Sequence, residues 1–363
     1  MLTTQLQEKA IFTLTKYFED IYDWNKEDID EVIEDLYPFF DIMSLKPYTV
    51  IQNIKKLQEL RKMPLIPQRS KEWYDLRLNR LTASDLAQAL NKGKFGTRED
   101  LLKNKAFPET VVFNNHCPPL KWGTMFEDMG MRMYYQKVNP VKIYDFGLIP
   151  NNEIYCFGAS PDGITDTGVM VEMKCPYRRK CNGEIPEQYY IQIQGQLATC
   201  KLTDCDYVEC YFEVFNDISN FKEVCLEDKN KEFGIIVEYM ENNSYAYYYS
   251  PELLCVEDCI EWAYKKIEEE KLKENETYNF LKMTYWKLNK IFVKRVPFQE
   301  EEWNEMVPEI YRFWDDVKIL RDKGIESIPV KPKNPKKREL ELDKPKSNYY
   351  PNYVFIDDSD EEN

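Results

Sequence analysis

Ser160-Pro161-Asp162-Gly163 and, eight residues on, Val171-Glu172-Met173-Lys174 are the stretch from which the rest of the chain can be read. Residues 168–174 are rich in β-branched and apolar types and lie between Asp166-Thr167-Gly168 and Pro176, the pattern of a short buried strand. Side chains alternate faces along a strand, so Glu172 and Lys174 point the same way. Residues 154–159 read as an earlier strand, and Ser160-Pro161-Asp162-Gly163 is turn chemistry that holds Asp162 at its end. Asp162 and Glu172 can therefore converge. Two hard carboxylate oxygens suit Mg²⁺ or Mn²⁺, and a lysine beside them can orient or deprotonate water or offset transition-state charge. That is the chemistry of metal-dependent phosphodiester cleavage. Taken alone, the same residues also fit a hairpin turn carrying an exposed Glu and Lys pair.

Outward from this stretch, further blocks follow in a recognisable order. Trp73 and Arg77 precede Leu81-Thr82-Ala83-Ser84; Trp122-Gly123-Thr124-Met125-Phe126-Glu127 comes next; Tyr190-Ile191-Gln192-Ile193-Gln194 lies downstream of Glu172-Met173-Lys174-Cys175-Pro176. Together, from about residue 68 to 215, they resemble the PD-(D/E)XK nuclease core, and specifically its lambda-exonuclease-like, YqaJ-type viral recombinase branch. The long extensions and tyrosine- and lysine-rich usage resemble a member from a large DNA virus rather than a compact phage one.

The resemblance implies metal ligation by Glu127, Asp162 and Glu172, with the carbonyl of Met173 as a further oxygen. It implies a two-metal Mg²⁺ site in which Mn²⁺ can substitute, with Lys174 and Gln192 handling the water. It also assigns Arg77, Ser84 and Ser160 to a terminal 5′-phosphate. That trio makes chemical sense, because arginine offers a planar fork to phosphate oxygens and hydroxyls donate single hydrogen bonds. Trp73 and Trp122 read as core anchors. Gln192, Gln194 and Gln196 crowd one helix, where a capped or solvated glutamine is also an ordinary finding.

The net charge of −15 looks wrong for a DNA-binding chain until it is divided. Residues 65–200 carry 17 Lys and Arg against 15 Asp and Glu, whereas residues 1–64 carry 8 against 12, so the acid is concentrated outside the central region. Arg178-Arg179-Lys180 follows the catalytic strand, where a DNA backbone could pass or where a basic loop is simply solvated. The 43% hydrophobic and 14% aromatic content argues for a globular fold. No apolar run approaches a bilayer span and no signal-peptide pattern opens the chain, so the expectation is a soluble intracellular protein without a membrane partner. For a viral protein that places it in the host cytoplasm or at the site of viral replication. Ten cysteines and a single histidine, His116, lack zinc-knuckle spacing. An iron–sulfur cluster held from both sides of the core is disfavoured by the same spacings, which leaves reduced, mostly buried thiols.

Four zones are expected. Residues 1–64 form a helical N-terminal extension, 65–250 the nuclease core, 251–327 a helical C-terminal region, and 328–363 a Pro/Lys-rich and then acidic flexible tail. The core is an α/β (α+β) sandwich around a small mixed sheet, with helices near 70–90, 98–105, 122–137 and 185–200 and strands near 141–148, 154–159, 168–174 and 206–215. The expected function is a metal-dependent exonuclease acting 5′→3′ on double-stranded DNA ends and leaving 3′ single-stranded tails. A structure-selective endonuclease and a non-catalytic DNA-end scaffold are the alternatives. Family likeness further implies a trimeric ring and a single-strand annealing protein as partner.

Overall fold

The computed structural model describes residues 47–325, apart from 112–116, 227, 229–231, 243 and 276. The first part of the chain gives α1 (Pro47–Arg61), α2 (Lys71–Leu78), β1 (Leu81–Thr82), α3 (Ala83–Ala89), α4 (Arg98–Ala106) and α5 (Pro118–Lys137). Short strands follow: β2 (Ile143–Tyr144), β3 (Ile149–Pro150), β4 (Phe157–Ala159), β5 (Gly163–Thr165) and β6 (Met170–Lys174). After α6 (Glu187–Cys200) come β7 (Asp204–Phe215), α7 (Ile218–Cys225), β8 (Phe233–Glu241), β9 (Ser244–Tyr249), α8 (Val256–Lys271), β10 (Tyr278–Pro297) and α9 (Glu300–Lys323).

Among the described residues the strands form a seven-stranded mixed sheet, ordered β2-β5-β6-β7-β10-β8-β9, and a small sheet ordered β1-β4-β3. β5 and β6 are an antiparallel hairpin, and β6 runs parallel to β7 with Glu172 opposite Tyr207. A parallel pair needs a crossover, and α6 supplies it. Strand alternation then sorts β6 between two layers. Val171 and Met173 pack under α5 with Phe126, Met129 and Met133, while Met170 faces α6 with Ile193 and Leu197. The result is a mixed α/β sandwich with helices on both faces of the sheet, as the sequence leads one to expect.

Two glycines set how closely these layers approach. A Cβ on Gly130 of α5 would stand 2.6 Å from Met173 Sδ and 3.2 Å from Cys175 Sγ, so the helix lies on β6 at a distance only glycine allows. Gly168 turns the hairpin with φ +78°, and a Cβ there would meet Asn53 of α1 at 2.5 Å.

Several expectations change. The region 251–327 returns to helix only in part, as α8 and α9. It contains β10, a strand of 20 residues that sits between β7 and β8 inside the sheet, paired antiparallel with both. The core therefore does not end at residue 250. Its physical basis is a run dense in aromatic and β-branched residues, from Tyr278 through Tyr285, Trp286, Ile291, Phe292 and Val293. α1 is likewise no separate extension, because Leu57 is buried with Ile164, Met170 and Leu197 and Asn53 donates to Thr203 Oγ1 at 2.8 Å. Residues 1–46 and the tail beyond 325 lie outside the described residues. The single helix expected over 70–90 is broken after Leu78, because Leu81 and Thr82 pair in parallel with Phe157 and Gly158. Of the strand expected at 141–148 only β2 at Ile143–Tyr144 forms, and β3 follows at Ile149–Pro150 in the other sheet.

Candidate active site

Glu172 lies at the centre of the site and is fully buried, so the exposed-pair reading of this hairpin does not hold. A buried carboxylate persists only if its lone pairs are met. Gln192 Nε2 donates to Oε1 at 2.6 Å, Gln196 Nε2 donates to Oε2 at 2.8 Å, and the Lys174 ammonium pairs with Oε1. Both glutamines come from successive turns of α6, four residues apart and hence on one helix face. Gln192 was singled out in the sequence. Gln196 was passed over as one of a crowd, although its spacing from Gln192 was a usable signal. Gln194 points elsewhere, donating to the Pro297 carbonyl at 3.0 Å and accepting from Gln299 N at 2.8 Å, which clamps the end of β10 to the start of α9.

Asp162 ends the turn before β5, and its Oδ2 accepts the backbone N–H of Met173 at 2.8 Å. That bond holds the Asp162 carboxylate against β6, so Asp162 and Glu172 do converge. Burial and the charges of Glu172 and Glu127 push the Asp162 carboxyl well above the usual range. Glu127 arrives from α5, and burial also raises it against the pull of Arg69. Burial disfavours the charged form of Lys174, but attraction from Glu172 and Asp162 outweighs it and keeps the ammonium protonated. Lys174 and Arg179 both lie over the ring of Tyr189, at 4.9 and 5.7 Å.

Arg69 was missed in the sequence. It adopts φ 67°, in the left-handed region, and its guanidinium meets Glu127 Oε2 at 2.7 Å. Gln68 secures this loop by donating to the carbonyls of Phe146 and Pro161, at 2.9 and 3.2 Å.

Arg77, Ser84 and Ser160 are brought together through a fourth residue. The Arg77 guanidinium lies 4.4 Å over the ring of Trp73 and donates to Ser84 Oγ at 2.9 Å. Trp73 Nε1 donates to Ser160 Oγ at 3.1 Å. Trp73 is indeed buried, but it also joins the three groups. The basic run fares differently. Arg178 and Lys180 are exposed, whereas Arg179 turns inward and pairs with buried Glu209, which also accepts from Tyr207 and Tyr211. Arg179 is therefore removed from the expected set of DNA-backbone contacts, because Glu209 would otherwise be an uncompensated buried charge.

Among the described residues no group of three or more Cys, His, Asp and Glu side chains stands in ligating geometry. The donor set nevertheless fits a hard divalent cation. Glu127, Asp162 and Glu172 are oxygen donors, and the Asp162 carboxyl, raised first by burial and then by the charges of Glu172 and Glu127, is one whose ionised form such a cation would favour. A cleft of about 560 Å³ opens at Glu127 and Lys174, lined further by Phe95, Leu120, Tyr177 and Arg178. The cysteines are all free thiols, seven of them buried.

Residues 72–206 match the model of the YqaJ-like viral recombinase domain. An uncharacterized protein of Acanthamoeba polyphaga mimivirus is 24% identical over an alignment covering 75% of this chain, and the chain spans only 56% of that relative's length. Among solved structures, an alkaline exonuclease from Laribacter hongkongensis aligns with a TM-score of 0.43 at 18% identity, covering 75% of this chain and 100% of its own. A phage-related exonuclease from Haemophilus somnus aligns with a TM-score of 0.37 at 9% identity, covering 69% of this chain and 96% of its own.

Proposed function

We propose, from the match of residues 72–206 to the YqaJ-like viral recombinase domain, that the protein is a divalent-metal-dependent DNA exonuclease that takes double-stranded ends and removes nucleotides from the 5′ strand. The observation that supports this most directly is the spacing of one turn. Ser160 belongs to the Arg77 and Trp73 cluster, and Asp162, two residues later, belongs to the carboxylate cluster. The backbone between them spans at most about 7 Å, so an anchored terminal phosphate is kept to the neighbourhood of the carboxylates, on the order of one or two nucleotides away. An endonuclease has no need of such an anchor.

In this reading Glu127, Asp162, Glu172 and the Met173 carbonyl hold Mg²⁺ or Mn²⁺, which when bound polarises a phosphate oxygen and acidifies water. The chain does the positioning. Gln192 and Gln196 fix the Glu172 carboxylate; Lys174, kept charged, places a donor beside the scissile phosphate. Arg77 presents two-pronged recognition to the terminal phosphate, supported by the flat face of Trp73.

End-labelled linear duplex bearing 5′-phosphate or 5′-hydroxyl, set beside covalently closed circles in Mg²⁺, tests the proposal. Linear 5′-phosphorylated DNA should be degraded fastest and circles spared, with Asp162→Asn and Glu172→Gln inactive. Rapid cutting of circles with no preference for 5′-phosphate would overturn the exonuclease reading in favour of an endonuclease. Binding to ends without cleavage in Mg²⁺ or Mn²⁺ would leave only a scaffold.

A further inference from the structure

Behind the Arg77 cluster lies an ion pair that the proposed chemistry does not use. Lys105 of α4 is only 5% exposed, and its ammonium meets Asp85 Oδ2 at 2.8 Å and the Arg77 carbonyl at 2.8 Å. A buried ammonium costs several kcal/mol to desolvate unless it is paired and hydrogen-bonded. Asp85 is in turn tied to the phosphate-binding groups. Its Oδ2 accepts from Thr82 Oγ1 at 2.7 Å, and Thr82 Oγ1 lies 3.0 Å from Ser84 Oγ. The Asp85 carboxylate is thus two hydrogen bonds from a hydroxyl assigned to a phosphate, and near enough for its charge to be felt by Arg77.

A carboxylate so placed repels a terminal phosphate and competes for Arg77. Two opposite charges about 3 Å apart act on a third charge farther away almost as a neutral dipole. We propose that Lys105 is a positioning residue for end recognition, which neutralises Asp85 so that Arg77 and Ser84 remain available to a 5′-terminal phosphate. The same ammonium fixes the last turn of α2 through the Arg77 carbonyl, setting where that side chain begins. α4 holds Lys105 firmly. The helix starts with a reciprocal cap between Thr97 and Asp100, and Arg321 of α9 donates to the Lys105 carbonyl at 2.7 Å.

The inference rests on the end-binding reading, and a charge cycle separates the two. In full-length protein, Lys105→Met exposes the phosphate to Asp85 and should lower the 5′-phosphate over 5′-hydroxyl preference in kcat/KM by about tenfold or more. The loss should fall on KM, with cutting of 5′-hydroxyl ends little changed. Asp85→Asn should keep or raise the preference, and Asp85→Asn in the Lys105→Met background should restore most of it, since the repelling charge is gone and only the bond to the Arg77 carbonyl stays lost. A purely structural pair gives another result: each single variant lowers both substrates alike, with a matching fall in Tm, and the double variant rescues nothing. That result, or a Lys105→Met enzyme retaining the full preference, overturns the inference while leaving the exonuclease reading intact. Should Lys105→Met not fold, Asp85→Asn alone decides, because a lowered preference contradicts repulsion. Absence of any preference in the unmodified protein removes both readings together.

Discussion

Asp162 shows at the scale of one residue how function and stability oppose each other. Its carboxyl is raised by burial and by the Glu172 and Glu127 charges, so the folded state holds the proton more tightly than the unfolded chain does. Between the unfolded value of 3.8 and that raised value the native protein carries more protons, and stability therefore falls as pH rises through the window. The metal-free Asp162→Asn protein should melt above the unmodified one at neutral pH, each kcal/mol being about 1–2 °C in a chain of 363 residues. The advantage should shrink as pH falls towards 3.8. Added Mg²⁺ should raise the Tm of the unmodified protein and not of the variant. A variant that melts lower at neutral pH would speak against a strained carboxylate cluster. Gln196 is the second residue with a measurable role. Gln196→Leu removes the donor to Glu172 Oε2 and leaves a buried carboxylate oxygen unmet, a cost of about 1–3 kcal/mol. Cleavage should drop by about 10–100-fold and the Mg²⁺ requirement should rise, measured as rate against metal concentration.

At the scale of elements, the site is a meeting of α5, β6 and α6, and its precision depends on how closely α5 lies on the strand. Gly130 permits that approach one turn from Glu127, on the helix that delivers it. Gly130→Val would drive methyl groups into Met173 and Cys175, with an overpacking cost of about 1–3 kcal/mol. Because the clash is relieved by lifting α5, cleavage should fall further than the loss of Tm alone explains, while Gly123→Ala on the same helix, where a Cβ meets nothing within 4 Å, should be silent. Equal effects of the two substitutions in paired melting and nuclease assays would show that the approach of α5 is not limiting.

The whole molecule is organised by β10 rather than by the hairpin of β5 and β6. It joins β7, which pairs with β6, to β8 and β9, and carries Trp286 and Leu288 into the layer under α5. Arg295 also reaches from β10 to Asp206 of β7, at 2.6 Å, where Asp206 accepts from buried Tyr134 of α5 at 2.6 Å. A chain ending at residue 250 keeps every expected catalytic residue but leaves both β7 and β8 with unpaired inner edges. Such a truncation should be insoluble or lack a cooperative melting transition by circular dichroism. A folded, active fragment would contradict the central place of β10.

Local chemistry was enough to read the convergence of Asp162, Glu172 and Lys174. Alternation along one short strand puts Glu172 and Lys174 on a common face, and a Ser-Pro-Asp-Gly turn places Asp162 beside them, because both effects act over a few neighbouring residues. The family likeness of Trp73, Arg77, Ser84, Glu127 and Gln192 was legible for a related reason: each lies in a short block with its own pattern. Partners chosen by folding were not legible. Arg69 for Glu127, Lys105 for Asp85 and Glu209 for Arg179 are separated by 58, 20 and 30 residues, and nothing local distinguishes them from other polar side chains, while Gln196 for Glu172, 24 residues apart, is hinted at only by its four-residue spacing from Gln192. β10 was missed for the same physical reason, since a strand's place in a sheet depends on edges supplied from elsewhere in the chain. The sequence determined which groups are candidates for the proposed chemistry, and the tertiary structure decided which of them are free to use it, because burial forces every charge to find a partner.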